Sequence, residues 1–334
     1  MHPAACQTYR HNHPNVTLVA ADLTTVSTVD VGKRDDELVL FGGPPCQGFS
    51  TSNQRTRNRE NQKNWLYQQF LRHVEDLKPE WVVFENVAGI LQTEGGLFVE
   101  NFTNRLKCLG YRTSYGLLDA SEFGCPQRRT RFFTIAARDQ IPPSLPTPPG
   151  ERPPTLWEAV GDLPALENGA SVNVLPYAAP PVSKYAAALR GGLSECSGHL
   201  VSRNAETIVA RYSHIPQGGN WRDIPGMMRE GRDDRRRYHS GIYHRLRNDI
   251  PSVVIGNFRK NMLIHPTQDR GLSVREAARL QTFPDNYVFH GSIGLQQQQV
   301  GNAVPPILAR AVFERIVAAA KGTGASKRGD ERAA

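Results

Sequence analysis

The 334-residue sequence predicts an α/β fold, a doubly wound sheet carrying an inserted, irregular lobe, and three observations support this. Apolar, β-branched runs alternate with a helical pattern in the N-terminal part of the chain. The composition then shifts to proline-rich, aperiodic sequence. Amphipathic helices return near the C-terminus. A chain of this size buries a substantial core as one large domain or as two.

The first observation rests on VTLVAADL (16–23), ELVLFGG (37–43) and WVVFENV (81–87). Such near-continuous apolar runs belong to parallel strands buried on both faces. Between the last two, Trp65, Leu66, Phe70, Val74 and Leu77 recur at three- and four-residue spacing and define one face of a helix. Strand, helix and strand in this rhythm predict a right-handed crossover. A further helix is expected around Leu97 to Leu109. After it, YRTSYGLLDA and RRTRFFTIAAR read as two strands joined as a hairpin-like pair through SEFGCPQ.

The second observation is IPPSLPTPPGERPPTLW, proline-rich enough to be a linker or an extended crossing between lobes. From about 155 to 265 the pattern is irregular and reads as an inserted lobe. It contains arginines 229, 232, 235, 236, 237, 245 and 247, interleaved with Tyr238, His239, Tyr243 and His244. Arginine pairs with phosphates through two parallel N–H groups and stacks on bases, so this cluster is a nucleic-acid surface or a solvated, salt-bridged loop. A net charge of +8 favours a polyanionic partner.

The third observation is S273-VRE-AARLQ, where Ser273 and Glu276 have capping-box spacing before an apolar face. PPILARAVFERIVAAA (305–320) follows, with its prolines where a helix's first turn tolerates them. The tail KGTGASKRGDERAA is expected to be disordered.

No apolar stretch approaches the roughly 20 residues of a membrane-spanning helix, and the N-terminus lacks the pattern of a signal peptide. We therefore expect an intracellular protein. Five cysteines at irregular spacing, without a C-x-x-C pair, argue against a disulfide framework and against a zinc site, and no metal is expected.

In open α/β sheets, ligands bind beyond the carboxyl ends of the strands. One such end delivers Cys46 in FGGPPCQGFS, where Pro44 and Pro45 fix the backbone and Gly42, Gly43 and Gly48 permit sharp turns. Another delivers Glu85 and Asn86. A thiol beside a carboxyl proton donor is suited to adding to an electron-poor ring. In QRRTR, Gln127, Arg129 and Arg131 alternate along a strand, so the two arginines share a face.

GGPPCQGFS, ENV, QRRTR, REAARLQTFPD and VGNAVPP occur in this order, with a variable lobe between the third and fourth. Together they resemble the motif series of the DNA cytosine C5 methyltransferases, over nearly the whole chain to about residue 320. The resemblance implies a Rossmann-like, S-adenosylmethionine-dependent methyltransferase sheet. Residues 1–150 would form the catalytic and cofactor-binding domain and 151–265 the target-recognition lobe. Residues 266–320 would return to the catalytic domain, leaving 321–334 as the tail. Cys46 would attack C6 of an everted cytosine. Glu85 would hold N3 and the exocyclic amine, Arg131 would contact O2, and Arg129 would support them.

The resemblance also implies a cofactor site of Asp22, Leu23, Pro45, Asn302 and Val304. Contacts to double-stranded DNA would come from Gln47, Ser50, Gln127, Arg235, Arg236 and Arg237. QGGNWRDIP (217–225) resembles the entrance of the family's recognition lobe. The enzyme would be a cytoplasmic bacterial monomer, nucleoid-associated when bound to DNA, with a cognate restriction endonuclease. The family's opening strand, F-x-G-x-G turn and second strand have no counterpart here, and residues 1–14 resemble the helix that follows them. The missing part is expected either from an earlier start of the chain or from a complementing N-terminal fragment, which would then be a further partner, with a decayed gene as the third alternative; the chain by itself is expected to bind the cofactor weakly. Two rival readings stay open: a DNA-binding remnant without catalysis, and an RNA cytosine methyltransferase of the same architecture.

Overall fold

The computed structural model describes residues 2–27, 31–32, 36–44, 66–228, 241–256, 258–260 and 262–330. In chain order the helices are α1 (Pro3–Asn12), α2 (Tyr67–Leu77), α3 (Leu97–Cys108), α4 (Leu156–Val160), α5 (Lys184–Arg190), α6 (Glu206–Tyr212), α7 (Val274–Leu280), α8 (Ile293–Asn302) and α9 (Pro306–Asp330). The strands are β1 (Val39–Gly42), β2 (Trp81–Val87), β3 (Tyr111–Asp119), β4 (Thr130–Arg138), β5 (Val174–Pro176) and β6 (Glu195–Ser197). The chain forms two compact units. A sheet unit takes Ala21–Asp119, Thr130–Pro149 and Ala309–Ala334; a lobe unit takes Met1–Ala20, Ala120–Arg129 and Gly150–Leu308.

In the sheet unit the strand order is β1-β2-β4-β3. β1 runs parallel to β2, with Val39 opposite Trp81, and α2 makes the expected crossover between them. Tyr67, Phe70, Leu71 and Val74 of α2 pack with Val82 and Phe84 of β2, Phe98 and Phe102 of α3, and Phe132 of β4. Phe70 meets Phe84 edge-on at a centroid distance of 5.9 Å, a favoured aromatic geometry. The residues on the other face of β2 and β4, Val83, Phe133 and Ile135, are buried as well.

Three expectations are corrected. Residues 16–23 form no strand: Val16, Val19 and Leu23 are exposed, and among the described residues β1 pairs with β2 alone. A β-branched run becomes a strand only where a neighbour takes up its backbone N–H and C=O groups. Next, among the strands of the described residues only β1 and β2 pair in parallel, because β4 inserts antiparallel between β2 and β3. With both faces covered, FFTIAA is apolar but for buried Thr134, and hydropathy carries no sign of strand direction. Finally, the segment from 321 is helical as far as Asp330, because α9 continues through it. An established helix adds residues at little cost once nucleated.

In the lobe unit, α7 is buried along its whole length. Its capping box closes as expected: Glu276 N–H donates to Ser273 Oγ at 3.1 Å and Ser273 N–H to Glu276 Oε2 at 2.7 Å. Glu276 also takes two bonds from Arg270, at 2.9 and 2.6 Å. Arg279 is fully buried between Asp162 and Asp285, the latter at 2.7 Å. Buried charges of this kind persist only when fully paired, and deleting one partner costs about 3–5 kcal/mol.

Candidate active site

β2 buries Trp81 to Phe84 and then presents Glu85 at its carboxyl end. The register sets Glu85 opposite Phe133 and Val87 opposite Arg131. Paired and alternate residues share a face of a sheet, so the two charged side chains project together. Arg131 Nε lies 3.2 Å from Glu85 Oε1, with the side chains 12% and 19% exposed. Arg131 Nη1 also donates to the carbonyl of Thr130 at 2.8 Å. An ion pair so far out of water is screened little, and it holds the carboxyl in one orientation.

The chain leaving β1 passes directly over this carboxyl group. A Cβ built on Gly43 would lie 2.6 Å from Glu85 Oε2, so glycine lets the chain pass here without displacing that carboxylate. Asn86 is buried, and its Oδ1 accepts the N–H of Val87 at 2.8 Å. The strand end thus exposes one acid and fixes its neighbour.

Gln127 and Arg129 precede β4 and belong to the lobe unit. Both are buried, Gln127 completely. Arg129 Nη2 donates to the carbonyls of Gly301 at 2.8 Å and Ala303 at 3.0 Å. Those bonds pin the backbone of VGNAVPP while Asn302 stays exposed and Val304 half-buried. From its buried position Gln127 shapes the surrounding backbone and does not face solvent. Gly301 packs so closely on Gly256 that a Cβ there would lie 2.0 Å from the Gly256 carbonyl oxygen.

Asp22 and Leu23 form the start of a turn in the sheet unit. Asp22 Oδ1 accepts from Thr24 N–H at 2.9 Å and Thr24 Oγ1 at 2.8 Å, and these bonds hold its carboxyl below the usual carboxylate range. Sequence reasoning missed Arg72 of α2, which donates to the carbonyls of Leu23 and Val26, each at 2.7 Å. Its place on a helix with a clear apolar face marked it only as polar. Pro45, Cys46, Gln47, Ser50, Arg235, Arg236 and Arg237 lie outside the described residues. Of the other arginines in that cluster, Arg245 is buried, with bonds to the carbonyls of Ile215 at 2.6 Å and Tyr212 at 2.7 Å. Arg247 pairs with Asp249 at 2.6 Å. These two serve the lobe's own structure.

The model of the family described as C-5 cytosine-specific DNA methylase matches residues 1–318. The chain belongs to that family. It is therefore a DNA (cytosine-5)-methyltransferase, and its methyl donor is S-adenosylmethionine. It is 34% identical over 320 residues to the Type II methyltransferase M1.HphI of Haemophilus parahaemolyticus, spanning 94% of this chain and 78% of that protein. To the Type II methyltransferase M.DdeI of Desulfomicrobium norvegicum it is 34% identical over 340 residues, spanning 93% and 80%. The crystal structure of a putative DNA modification methyltransferase encoded within an E. coli prophage shares the fold, with a TM-score of 0.75 at 24% identity over 95% of this chain and 90% of that one. The methyltransferase acts on double-stranded DNA, and no helix among its described residues is long and apolar enough to cross a membrane.

Proposed function

We propose that the enzyme methylates C5 of a cytosine everted from a specific duplex sequence, with Cys46 as nucleophile, Glu85 and Arg131 as the groups that hold and polarise the ring, and Arg129 as their support. The observation that carries this reading is the Glu85–Arg131 pair, 3.2 Å apart at the end of β2, with the chain that leads to Cys46 pressed against the carboxyl group. Eversion is required because C6 is inaccessible in a stacked duplex, and it costs a few kcal/mol. Cys46 Sγ bonds to C6 as the thiolate while Glu85, in its carboxylic acid form, gives a proton to N3, so the ring accepts the electron pair without building charge. C5 becomes nucleophilic as a result. Arg131 orients Glu85 and reaches O2, and Arg129 holds the neighbouring backbone. Loss of the C5 proton to a base, with return of the N3 proton to Glu85, then expels the thiolate and restores the ring.

The cofactor supplies the methyl group when bound. For Asp22 the support is local: both bonds from Thr24 fall on Oδ1, which leaves Oδ2 to accept the amine of an adenosyl group. The pinned 300–304 segment leaves the Asn302 side chain exposed. We assign Asp22, Leu23, Pro45, Asn302 and Val304 to this role.

Residues 151–265 act as the target-recognition lobe between 1–150 and 266–320, with Gln47, Ser50, Arg235, Arg236 and Arg237 on DNA and Gln127 bracing the backbone beneath. The names of the Type II relatives support a restriction-modification role beside a cognate endonuclease. The enzyme works as a monomer in the bacterial cytoplasm, at the nucleoid.

Glu85→Gln keeps the shape of the side chain and removes the proton donor. We expect kcat for methyl transfer from labelled cofactor to duplex DNA to fall by about 10²–10⁴, with DNA affinity within a few-fold of the parent. Full activity in this variant, or transfer to tRNA in preference to duplex DNA, would contradict the reading.

A further inference from the structure

Gln281, the residue after α7, is completely buried. Its Nε2 donates to the carbonyls of Val300 at 2.8 Å and Ala303 at 3.4 Å. Its Oε1 accepts from Gln127 Nε2 at 3.0 Å. Gln127 Nε2 also donates to the Leu280 carbonyl at 3.1 Å, and Gln127 Oε1 accepts the N–H of Ile255 at 3.0 Å. Three carbonyls demand the NH₂ ends of these amides and one N–H demands an oxygen, so both orientations are fixed. Every amide hydrogen of the pair is used.

We propose that Gln281 is a positioning residue for the cofactor-binding segment, acting through the carbonyls of Val300 and Ala303 with Gln127 as its brace. An apolar side chain would fill this buried site without the desolvation that two amides require. What the amides add is placement. With Arg129, they hold the carbonyls of Val300, Gly301 and Ala303, on both sides of exposed Asn302. The role rests on the assignment of Asn302 and Val304 to the cofactor. It also explains why Gln127 is buried: the glutamine of QRRTR and that of LQTFPD together set the position of VGNAV.

Gln281→Met conserves length and volume and deletes the amide. We expect the KM for S-adenosylmethionine to rise about tenfold, with kcat and the KM for duplex DNA within about twofold. Gln127→Met leaves the bonds to residues 300 and 303 and should raise the cofactor KM by less. The double variant should match Gln281→Met alone, because both deletions break one chain. Leu163→Ala, in the core of the same unit, serves as the control for destabilisation and should leave the cofactor KM unchanged. A lower melting temperature with unchanged cofactor KM in Gln281→Met would overturn the proposal, as would an equal rise of KM in Leu163→Ala. A cofactor KM in Asn302→Ala equal to that of the parent would overturn the site assignment underneath, and is read without any change at Gln281.

Discussion

Gly301→Ala lowers the stability of the lobe unit by about 3 kcal/mol and removes methyl transfer, because the added carbon has nowhere to go. It would sit 2.0 Å from the Gly256 oxygen, 2.9 Å from the Gly256 carbonyl carbon and 3.3 Å from the Ile255 oxygen. All three are backbone atoms, so no side-chain rotation relieves the clash. Gly301 lies in the last turn of α8, and the gain in helix propensity from alanine, about 1 kcal/mol, is too small to offset the overlap. The displaced segment is the one that carries Asn302 and Val304. Gly256→Ala is the matched control. Its Cβ would meet Val254 at 3.8 Å and Arg129 Nη1 and the Gly301 oxygen at 3.9 Å, which is ordinary contact. Denaturant midpoints should therefore separate two substitutions made at the same contact: a large loss for the first and little change for the second. Equal effects would show that the close approach is not as described.

Acidification from pH 7 towards pH 4 unfolds the lobe unit, and two buried imidazoles drive the change. Burial, with Arg275 nearby, pushes the His199 pKa down to about 4. Burial does the same to His265, against the opposing pull of Glu276, also to about 4. The unfolded chain binds protons at these positions below about pH 6.5, whereas the folded chain refuses them until about pH 4. Stability is thus fully present above about pH 6.5 and lost as the pH falls through this window, by on the order of 3 kcal/mol for each histidine. Glu276, which its partners hold near a pKa of about 2, adds a further loss only below the ordinary glutamate range. Urea titrations at pH 7.5, 6 and 5 should show the unfolding free energy falling steadily. A His199→Gln, His265→Gln double variant should show a shallower fall. A parent protein equally stable at pH 7.5 and pH 5 would contradict this account of the two sites.

Much of this architecture was legible because its signals are local. The spacing of Phe70, Val74 and Leu77 gave α2, the Ser273–Glu276 pair gave the start of α7, and the turn through SEFGCPQ gave the β3–β4 hairpin. What was illegible depends on partners distant in sequence. VTLVAADL has strand composition but no strand beside it, and FFTIAA does not reveal which way β4 runs. At the site, Glu85 and Arg131 were legible because each follows or opens an apolar run. The glutamine pair was not. Gln127 and Gln281 are 154 positions apart, and only the fold makes them neighbours. Likewise, the arginine-rich stretch gave no sign that Arg245 is spent on the carbonyls of Tyr212 and Ile215.

The covalent role of Cys46 is tested most directly by trapping. With duplex DNA carrying 5-fluorocytosine at the target position and S-adenosylmethionine present, the fluorine at C5 blocks the final elimination, and the enzyme should remain bonded to the DNA through denaturing electrophoresis. Cys46→Ser should give no such adduct and no methyl transfer. An adduct formed equally well by Cys46→Ser, or undiminished methylation by that variant, would contradict the account.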